Sequence, residues 1–472
     1  MDLLKIYPTV DRESCGYCGT CVSVCPADAI DLIDLHLNVD IEKCTGCKTC
    51  VKVCPVGALA VKNSSSKDTE SNFRDYDLSR CKSLYYDVVV VGAGPGGSMS
   101  ARSAAMQNVS VLMIEKRQEI GSPVRCAEGI SKKPLADLVD IDPKWICAEV
   151  NGGRIHSPDG SFVTVDQPGA GLVLERKVFD KDLSLLSVQA GTEIWTKSRA
   201  IDLIKENGNV AGVVIRRLDG DYAVRAKVVI GADGVESQIG RLAGIKTVCK
   251  LDDLDTCAQY LITGVDIDQS YCDFYLGNQI APRGYAWVFP KGKNTANVGV
   301  GIGRNIAKQK AIEYLDKFVE KELGGGSVIA TVFGGVPICG TLSDIVLNGL
   351  MLVGDAAHQN DPVSGGGIIN AMIAGNIAGE VAGRAIKAGD TSRSFLMEYE
   401  KRWNKRIGRT FRHLRGIREG VLKFNDNTLN DLARVLSQAP KLSLIEIFWS
   451  ALKNEPRLLL ELRHLVSMGW AQ

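Results

Sequence analysis

Eight cysteines stand in two matching runs within the first 55 of 472 residues, "CGYCGTCVSVCP" from Cys15 to Pro26 and "CTGCKTCVKVCP" from Cys44 to Pro55. Each run reads C-x2-C-x2-C-x3-C-P. Three thiolates at that spacing converge on an iron–sulfur cube only if the chain reverses tightly, and Gly16, Gly19 and Gly46 give it that freedom. A fourth sulfur must come from elsewhere. Structural zinc sites pair two C-x2-C units across a longer spacer, so the triple spacing with its closing Cys-Pro reads as cluster chemistry rather than zinc.

Residues 1–62 resemble the two-cluster bacterial-type ferredoxins, in which the last cysteine of each run ligates the other cluster. The resemblance implies one [4Fe-4S] cluster on Cys15, Cys18, Cys21 and Cys54, and a second on Cys44, Cys47, Cys50 and Cys25. "PADAI" and "PVGAL", after Cys25 and Cys54, extend the pseudo-symmetry.

The rest of the chain must say where the electrons go. At roughly 150 residues per domain its length suggests about three domains. With 45% hydrophobic and 24% charged residues the composition is that of a globular protein, and a net charge of +1 gives no field that would recruit nucleic acid. The other seven cysteines, Cys81, Cys126, Cys147, Cys249, Cys257, Cys272 and Cys339, are scattered without pairing. Unpaired thiols behind a start, "MDLLKIYPTV", that lacks secretion-signal character imply a reducing cytoplasm. No run approaches the ~18 apolar residues of a membrane span, so any membrane contact is expected to be peripheral, at the inner face.

A polar linker, residues 63–84, gives way to "YDVVVVGAGPGGSMSARSAA", an apolar strand running through Gly92, Gly94 and Gly97 into an alanine-rich helix. In that context G-x-G-x-x-G is a dinucleotide fingerprint: one glycine for the turn, one for approach of a pyrophosphate, one for helix–strand packing. The phosphate would meet the helix N-terminus. Glu115 ends the next strand, where a carboxylate suits a ribose diol. Two further strands end in Gly-Ala-Asp-Gly (Asp233, Gly234) and Gly-Asp (Asp355), the second followed by Gly365, Gly366 and Gly367. These three segments resemble the para-hydroxybenzoate-hydroxylase-like FAD proteins. The resemblance implies FAD, with Asp355 at the ribityl-pyrophosphate and residues 365–367 opening a helix toward the flavin pyrimidine. A helix N-terminus there stabilises the negative charge of a reduced flavin by about 1 kcal/mol.

Clusters pass electrons singly and FAD releases them in pairs, so the two modules together convert one-electron into two-electron chemistry. No second complete dinucleotide unit follows residue 120. In "YAWVFPKGKNTANVGVG" Tyr285, Trp287 and Phe289 alternate along one strand and share a face, an aromatic wall for an apolar substrate. Y-x-W-x-F-P, eight residues, then G-x-G (Gly299, Gly301), with P-x-x-C as "PVRC" (Pro123–Cys126), resembles the geranylgeranyl reductase family over roughly residues 85–390. That implies FAD-dependent saturation of isoprenoid double bonds on lipids, as in archaeal membrane lipid synthesis, with a prenyl lipid as substrate. Family members often depend on separate ferredoxins or pyridine nucleotides, and this chain departs in carrying its own module; an external ferredoxin or other low-potential electron donor is an expected partner. Cys126, as proton relay or loop-shaping group, and Tyr285, Trp287 and Phe289, as wall, are the candidate catalytic residues. Aromatic faces would stabilise positive charge building on the alkene.

Arg176 resembles the arginine that contacts FAD in this superfamily, and a solvated arginine at a helix start is the plainer reading. His358 is either an ordinary loop histidine or a flavin-side group. The run "KRWNKRIGRTFRHLRGIR" carries eight Lys or Arg and no acid. It reads as a solvated helix face, a contact with an anionic membrane surface, or a dock for the ferredoxin module. Beyond it, "LSLIEIFWSALKNEPRLLLELRHLV" is apolar enough to cap a tunnel. The expected architecture is multidomain, α/β and α+β. A ferredoxin-like 2[4Fe-4S] module (1–62) precedes a Rossmann-type FAD domain (85–390), into which an antiparallel-sheet substrate domain is inserted at about 145–225 and 255–340, with C-terminal helices over 391–472. Competing readings are an electron-transfer-flavoprotein dehydrogenase or quinone oxidoreductase, and an electron-transfer module with no substrate of its own.

Overall fold

A computed structural model describes residues 5–33, 36–64 and 78–437. In the N-terminal module, strand Lys5–Val10 pairs antiparallel with Leu59–Ser64 and Ile30–Ile33 with His36–Val39. Two short helices, Thr20–Ser23 and Thr49–Val53, follow Gly19 and Lys48, both left-handed (φ 77° and 63°). The apolar core of this module continues into the rest of the chain through Cys249 and Leu254, so the two parts share one buried seam.

The first large sheet has eight strands. Thr192–Trp195, Val111–Ile114, Lys82–Val91 and Gly220–Gly231 lie parallel, and the long last strand then pairs antiparallel with Asn209–Arg217 and parallel with Leu350–Leu352. Against it pack helices Pro95–Ala105 and Ile368–Ala388, brought close by glycines one turn apart. A Cβ on Gly375 or Gly379 would stand 2.3 Å from a backbone oxygen of the facing helix.

The second sheet, also eight-stranded, runs Ser327–Pro337, Leu254–Thr263, Thr295–Gly303, Tyr285–Pro290, Cys272–Tyr275, Ile146–His156, Phe162–Leu174, Gly129–Ser131. Its make-up differs from the expected insertion at about 145–225. Only the part up to Leu174 belongs to it, whereas 192–231 builds the nucleotide sheet. The cause is long-range: tight turns at Asn207-Gly208 and Asp219-Gly220 fold 199–231 into a meander, and its last strand runs on into the Asp233 turn in register with Val88–Val91. The nucleotide strand likewise begins at Lys82, inside the expected linker.

Among the described residues the C-terminal region forms helices Arg393–Trp403, Arg409–Val421 and Asp426–Ser437, the first two joined by a π-helical turn, Asn404–Gly408. The basic run divides between two uses. Arg402, Arg415 and Arg418 pair with Glu380 (2.5 Å), Asp253 (3.3 Å) and Asp255 (3.2 Å), pinning the helices to the body. Lys401, Lys405, Arg406 and Arg409 are exposed. The apolar tail expected to cap a tunnel lies outside the described residues. Among the described residues no helix is long and apolar enough to cross a membrane.

Candidate functional site

The cysteines gather in two sets. Cys25, Cys44, Cys47 and Cys50 line one small pocket. Cys21 lies near Cys15, Cys18 and Cys54: burial, then the charges of Cys18, Cys54, Cys50 and Cys15, push its thiol up. The backbone N–H groups of Ala29 and Ala58 donate to Cys25 Sγ (3.3 Å) and Cys54 Sγ (3.2 Å), which gives "PADAI" and "PVGAL" a common task. Among the described residues no three His, Cys, Asp or Glu side chains converge tightly enough to hold a single ion. Four thiolates are the donor set that a [4Fe-4S] cluster takes.

The module docks against the mouth of a cavity of about 1010 Å³ whose wall includes Cys18, Gly94, Glu115, Asp355, Cys126 and Trp287. Clamps flank it. Arg125 donates to the Tyr17 carbonyl, and Arg241 donates to the Val22 carbonyl (3.1 Å) and pairs with Asp28 (2.9 Å). Thr256 Oγ1 donates to the Val53 carbonyl (3.3 Å). Residues assigned from sequence to clusters, nucleotide and substrate thus open on one space.

The nucleotide side fits a dinucleotide. Gly92 sits at φ 104°, and a Cβ on Gly97 would stand 1.8 Å from the Gly92 oxygen, so only glycine lets this helix lie on its strand. A Cβ on Gly94 would meet nothing within 4 Å, leaving a bare backbone cradle. Glu115 accepts the N–H groups of Ala93 (3.1 Å) and Arg117 (3.0 Å), which fixes its carboxylate. Asp233 accepts from Ile239 N–H (2.9 Å) while its other oxygen is buried without a partner. Burial pushes the Asp233 and Asp355 carboxyls up, and Asn360 Oδ1, above Gly367, is also buried and unpartnered. Orphaned acceptors of this kind call for a hydroxyl-bearing ligand such as the ribityl chain or ribose of FAD.

On the substrate side, register explains the aromatic motif. Trp287 stands opposite Gly299 and Tyr285 opposite Gly301. A Cβ on Gly299 would fall 2.2 Å from Trp287 Cζ2, so the glycine leaves room for the indole to lie across the neighbouring strand. Phe274 joins the wall, with ring centroids 5.6 Å from Tyr285 and 5.2 Å from Phe289. Tyr285 Oη donates to the Ser364 carbonyl (2.5 Å), tying the wall to the Gly365 turn.

Cys126 is held from three directions. Its Sγ accepts the Glu128 N–H (3.2 Å), its carbonyl accepts from Gln259 Nε2 (3.0 Å), and the Arg176 guanidinium lies beside it. Gln259 Oε1 accepts from Trp287 Nε1 (3.1 Å), linking the P-x-x-C loop to the wall. Burial pushes the Cys126 thiol up, so it keeps its proton. Arg176 lines the cavity, but its fork is taken by Asp180 (3.1 and 2.6 Å). Sequence reasoning missed Gln259, Glu128, Lys291 and Asn297. Glu128 alone had a local signal, its place two residues after Cys126.

His358 takes the ordinary reading. It is 2% exposed, and its Nε2 faces the Thr247 carbonyl (3.1 Å), so that nitrogen carries the hydrogen and Nδ1 accepts from the Cys339 thiol (3.1 Å). Burial lowers its pKa to about 4. A base so depressed stabilises the fold fully above its unfolded value of 6.5 and progressively less as pH falls toward 4. Stability should therefore fall by about 1 kcal/mol more between pH 7.5 and 5.5 in the native protein than in His358→Gln, read from urea midpoints; equal slopes would refute the assignment.

Comparison with known proteins fits this geometry. The geranylgeranyl reductase catalytic domain matches residues 253–336, a 4Fe-4S dicluster domain 8–61 and an FAD binding domain 87–145. Digeranylgeranylglycerophospholipid reductase 2 of Methanococcoides burtonii is 51% identical over 386 residues, 80% of this chain and 95% of that protein. The corresponding reductase of Methanosarcina acetivorans is 49% identical over 390 residues, 80% and 96%. A crystal structure of a geranylgeranyl bacteriochlorophyll reductase-like protein from Thermoplasma acidophilum superposes with TM-score 0.77 at 42% identity, covering 81% of this chain and all of that one. Bearing FAD and 4Fe-4S domains around one aromatic-walled cavity, and half identical to reductases it spans almost completely, the chain belongs to the geranylgeranyl reductase family.

Proposed function

We propose that the chain saturates the geranylgeranyl chains of a digeranylgeranylglycerophospholipid, with electrons reaching the site through two [4Fe-4S] clusters held by Cys15, Cys18, Cys21 and Cys54 and by Cys44, Cys47, Cys50 and Cys25. The observation that carries this is the single cavity on which Cys18, the nucleotide cradle and the Tyr285–Phe289 wall all open. The names of the half-identical relatives support the substrate. Bound FAD supplies paired electrons as a hydride equivalent.

The protein's own groups do the rest. Trp287 and Phe289, each 7% exposed, exclude water and present ring faces to an alkene carbon gaining positive charge. Burial also pushes the Tyr285 phenol up, and with its hydrogen committed to Ser364 it orients the wall rather than titrating. The Cys126 Sγ–H, its thiol pushed up by burial, is a neutral proton-bearing group lining the cavity. Lys401, Lys405, Arg406 and Arg409 supply an exposed basic surface for an anionic leaflet.

Mass spectrometry tests the reading. Chemically reduced holoprotein, given the phospholipid in anionic vesicles, should add two hydrogens per double bond. In the same assay Cys126→Ala should keep its flavin and lose most turnover. An unchanged lipid, or equal turnover by the variant, would overturn the respective claim.

A further inference from the structure

The two cysteine runs are alike in sequence and differ in setting. Every residue of helix Thr20–Ser23 is buried. Gly19 leaves no space, since a Cβ there would stand 2.7 Å from Glu236 Oε1, and Thr20 packs so tightly on Gly335 that a Cβ on that glycine would lie 2.8 Å from its methyl. The Ser23 carbonyl accepts the Cys249 N–H (3.0 Å). The second copy also meets the body, through its backbone, Arg304 Nε and Thr256 Oγ1 donating to the Lys52 (2.6 Å) and Val53 (3.3 Å) carbonyls, whereas it is Cys18 of this first copy that borders the flavin cavity.

The second copy puts lysine where the first has those small residues. Lys48 follows Cys47 as Gly19 follows Cys18, and Lys52 stands two after Cys50 as Ser23 stands two after Cys21. Cys47, Lys48 and Lys52 are exposed. Neither lysine makes an ion pair among the described residues, whereas Lys43 in the same stretch is paired with Asp40 at 3.6 Å. A cluster ligand open to solvent, in a run with two exposed cations and outside the lining of the cavity, is the complement of an acidic redox protein.

We propose that the Cys44–Cys54 run is the electron entry port, that Lys48 and Lys52 dock an acidic one-electron carrier protein there, and that the Cys15–Cys25 run hands electrons on to the flavin cavity. The proposal rests on the reading that the module feeds the flavin. Two successive encounters, each oxidising one carrier by one electron, together with two protons from water, supply the equivalents for one double bond. The order of the copies is fixed by packing, not by their ligands.

The test needs no lipid, so it is separate from the substrate assignment. A reduced acidic two-cluster ferredoxin is mixed anaerobically with the oxidised holoprotein, and bleaching of the flavin band is followed. Lys48→Glu/Lys52→Glu should slow bleaching at low salt about tenfold or more and flatten its dependence on ionic strength. Reduction by methyl viologen radical, a small cation with no docking face, should not slow. Lys293→Glu/Lys387→Glu, two exposed lysines with no assigned role, should behave as wild type with both reductants. An unaltered ferredoxin rate, equal slowing with both reductants, or the same loss in the Lys293/Lys387 variant would overturn the port. If viologen cannot bleach the wild-type flavin at all, the electron-feed reading fails instead.

Discussion

Gly97→Ala is expected to yield a protein with little or no bound flavin and a stability loss of about 3 kcal/mol or more. The added Cβ would lie 1.8 Å from the Gly92 oxygen, which is backbone at the centre of the fingerprint turn and cannot swing away. Nor can the helix Pro95–Ala105 retreat. Its other side is already in contact with Ile368–Ala388, where a Cβ on Gly375 would stand 2.3 Å from the Gly96 oxygen. Overpacking with rigid backbone on both sides sits at the upper end of the usual ~1–3 kcal/mol. Gly94→Ala separates packing from ligand approach, because its Cβ meets no protein atom within 4 Å. That variant should melt near wild type yet bind flavin weakly, since its methyl enters the space a pyrophosphate needs. Thermal unfolding and flavin absorbance of the two proteins decide the matter. A Gly97→Ala protein that is yellow and normally stable, or a Gly94→Ala protein as unstable as Gly97→Ala, would refute the assignment of roles.

What could be read from the chain alone was what is local. The cysteine spacing, the strand–glycine–helix unit and the alternation of Tyr285, Trp287 and Phe289 each lie within one short stretch, and the structure brings Cys18, the glycine turn and the aromatic wall onto one cavity. What depends on partner choice was not legible. The alternating strands of 199–231 look the same whichever sheet they join, and only their pairing with Lys82–Val91 decides. The room Gly299 makes for Trp287 appears only in the cross-strand register. Arg415 and Arg418 looked like part of a solvated run because their acceptors, Asp253 and Asp255, are some 160 positions away. The docking face was visible in principle, as the places where the two cysteine runs differ: Gly19 against Lys48, Ser23 against Lys52.

Glu128→Gln is expected to destabilise the protein by about 2–4 kcal/mol and to cut turnover about a hundredfold, although no proton transfer is assigned to Glu128. Glu128 is 4% exposed and sits at φ 73°, a left-handed backbone that costs a glutamate on the order of 1–3 kcal/mol unless its surroundings hold it. They do. Its carboxylate accepts the Arg176 N–H (3.0 Å), Asn297 Nδ2 (2.5 Å) and Lys291 Nζ (2.9 Å). An amide keeps the shape but must point its NH2 at one of these donors. Lys291, whose side chain is 6% exposed, would be left with the Leu174 carbonyl (2.7 Å) and Glu175 (3.3 Å). Glu175 is 36% exposed and so answers the buried charge only in part, which places the cost below the ~3–5 kcal/mol of a fully stranded ion. The same backbone carries the N–H that Cys126 Sγ accepts, so slack at Glu128 moves the thiol relative to the aromatic wall. Removing both charges distinguishes pair from scaffold. Glu128→Gln/Lys291→Met should recover at least half of the lost stability while turnover stays low, because the stranded charge is gone but the strained turn is still unheld. If the double variant is less stable than Glu128→Gln alone, or if Glu128→Gln lies within ~0.5 kcal/mol of wild type, the pair is not what holds this loop.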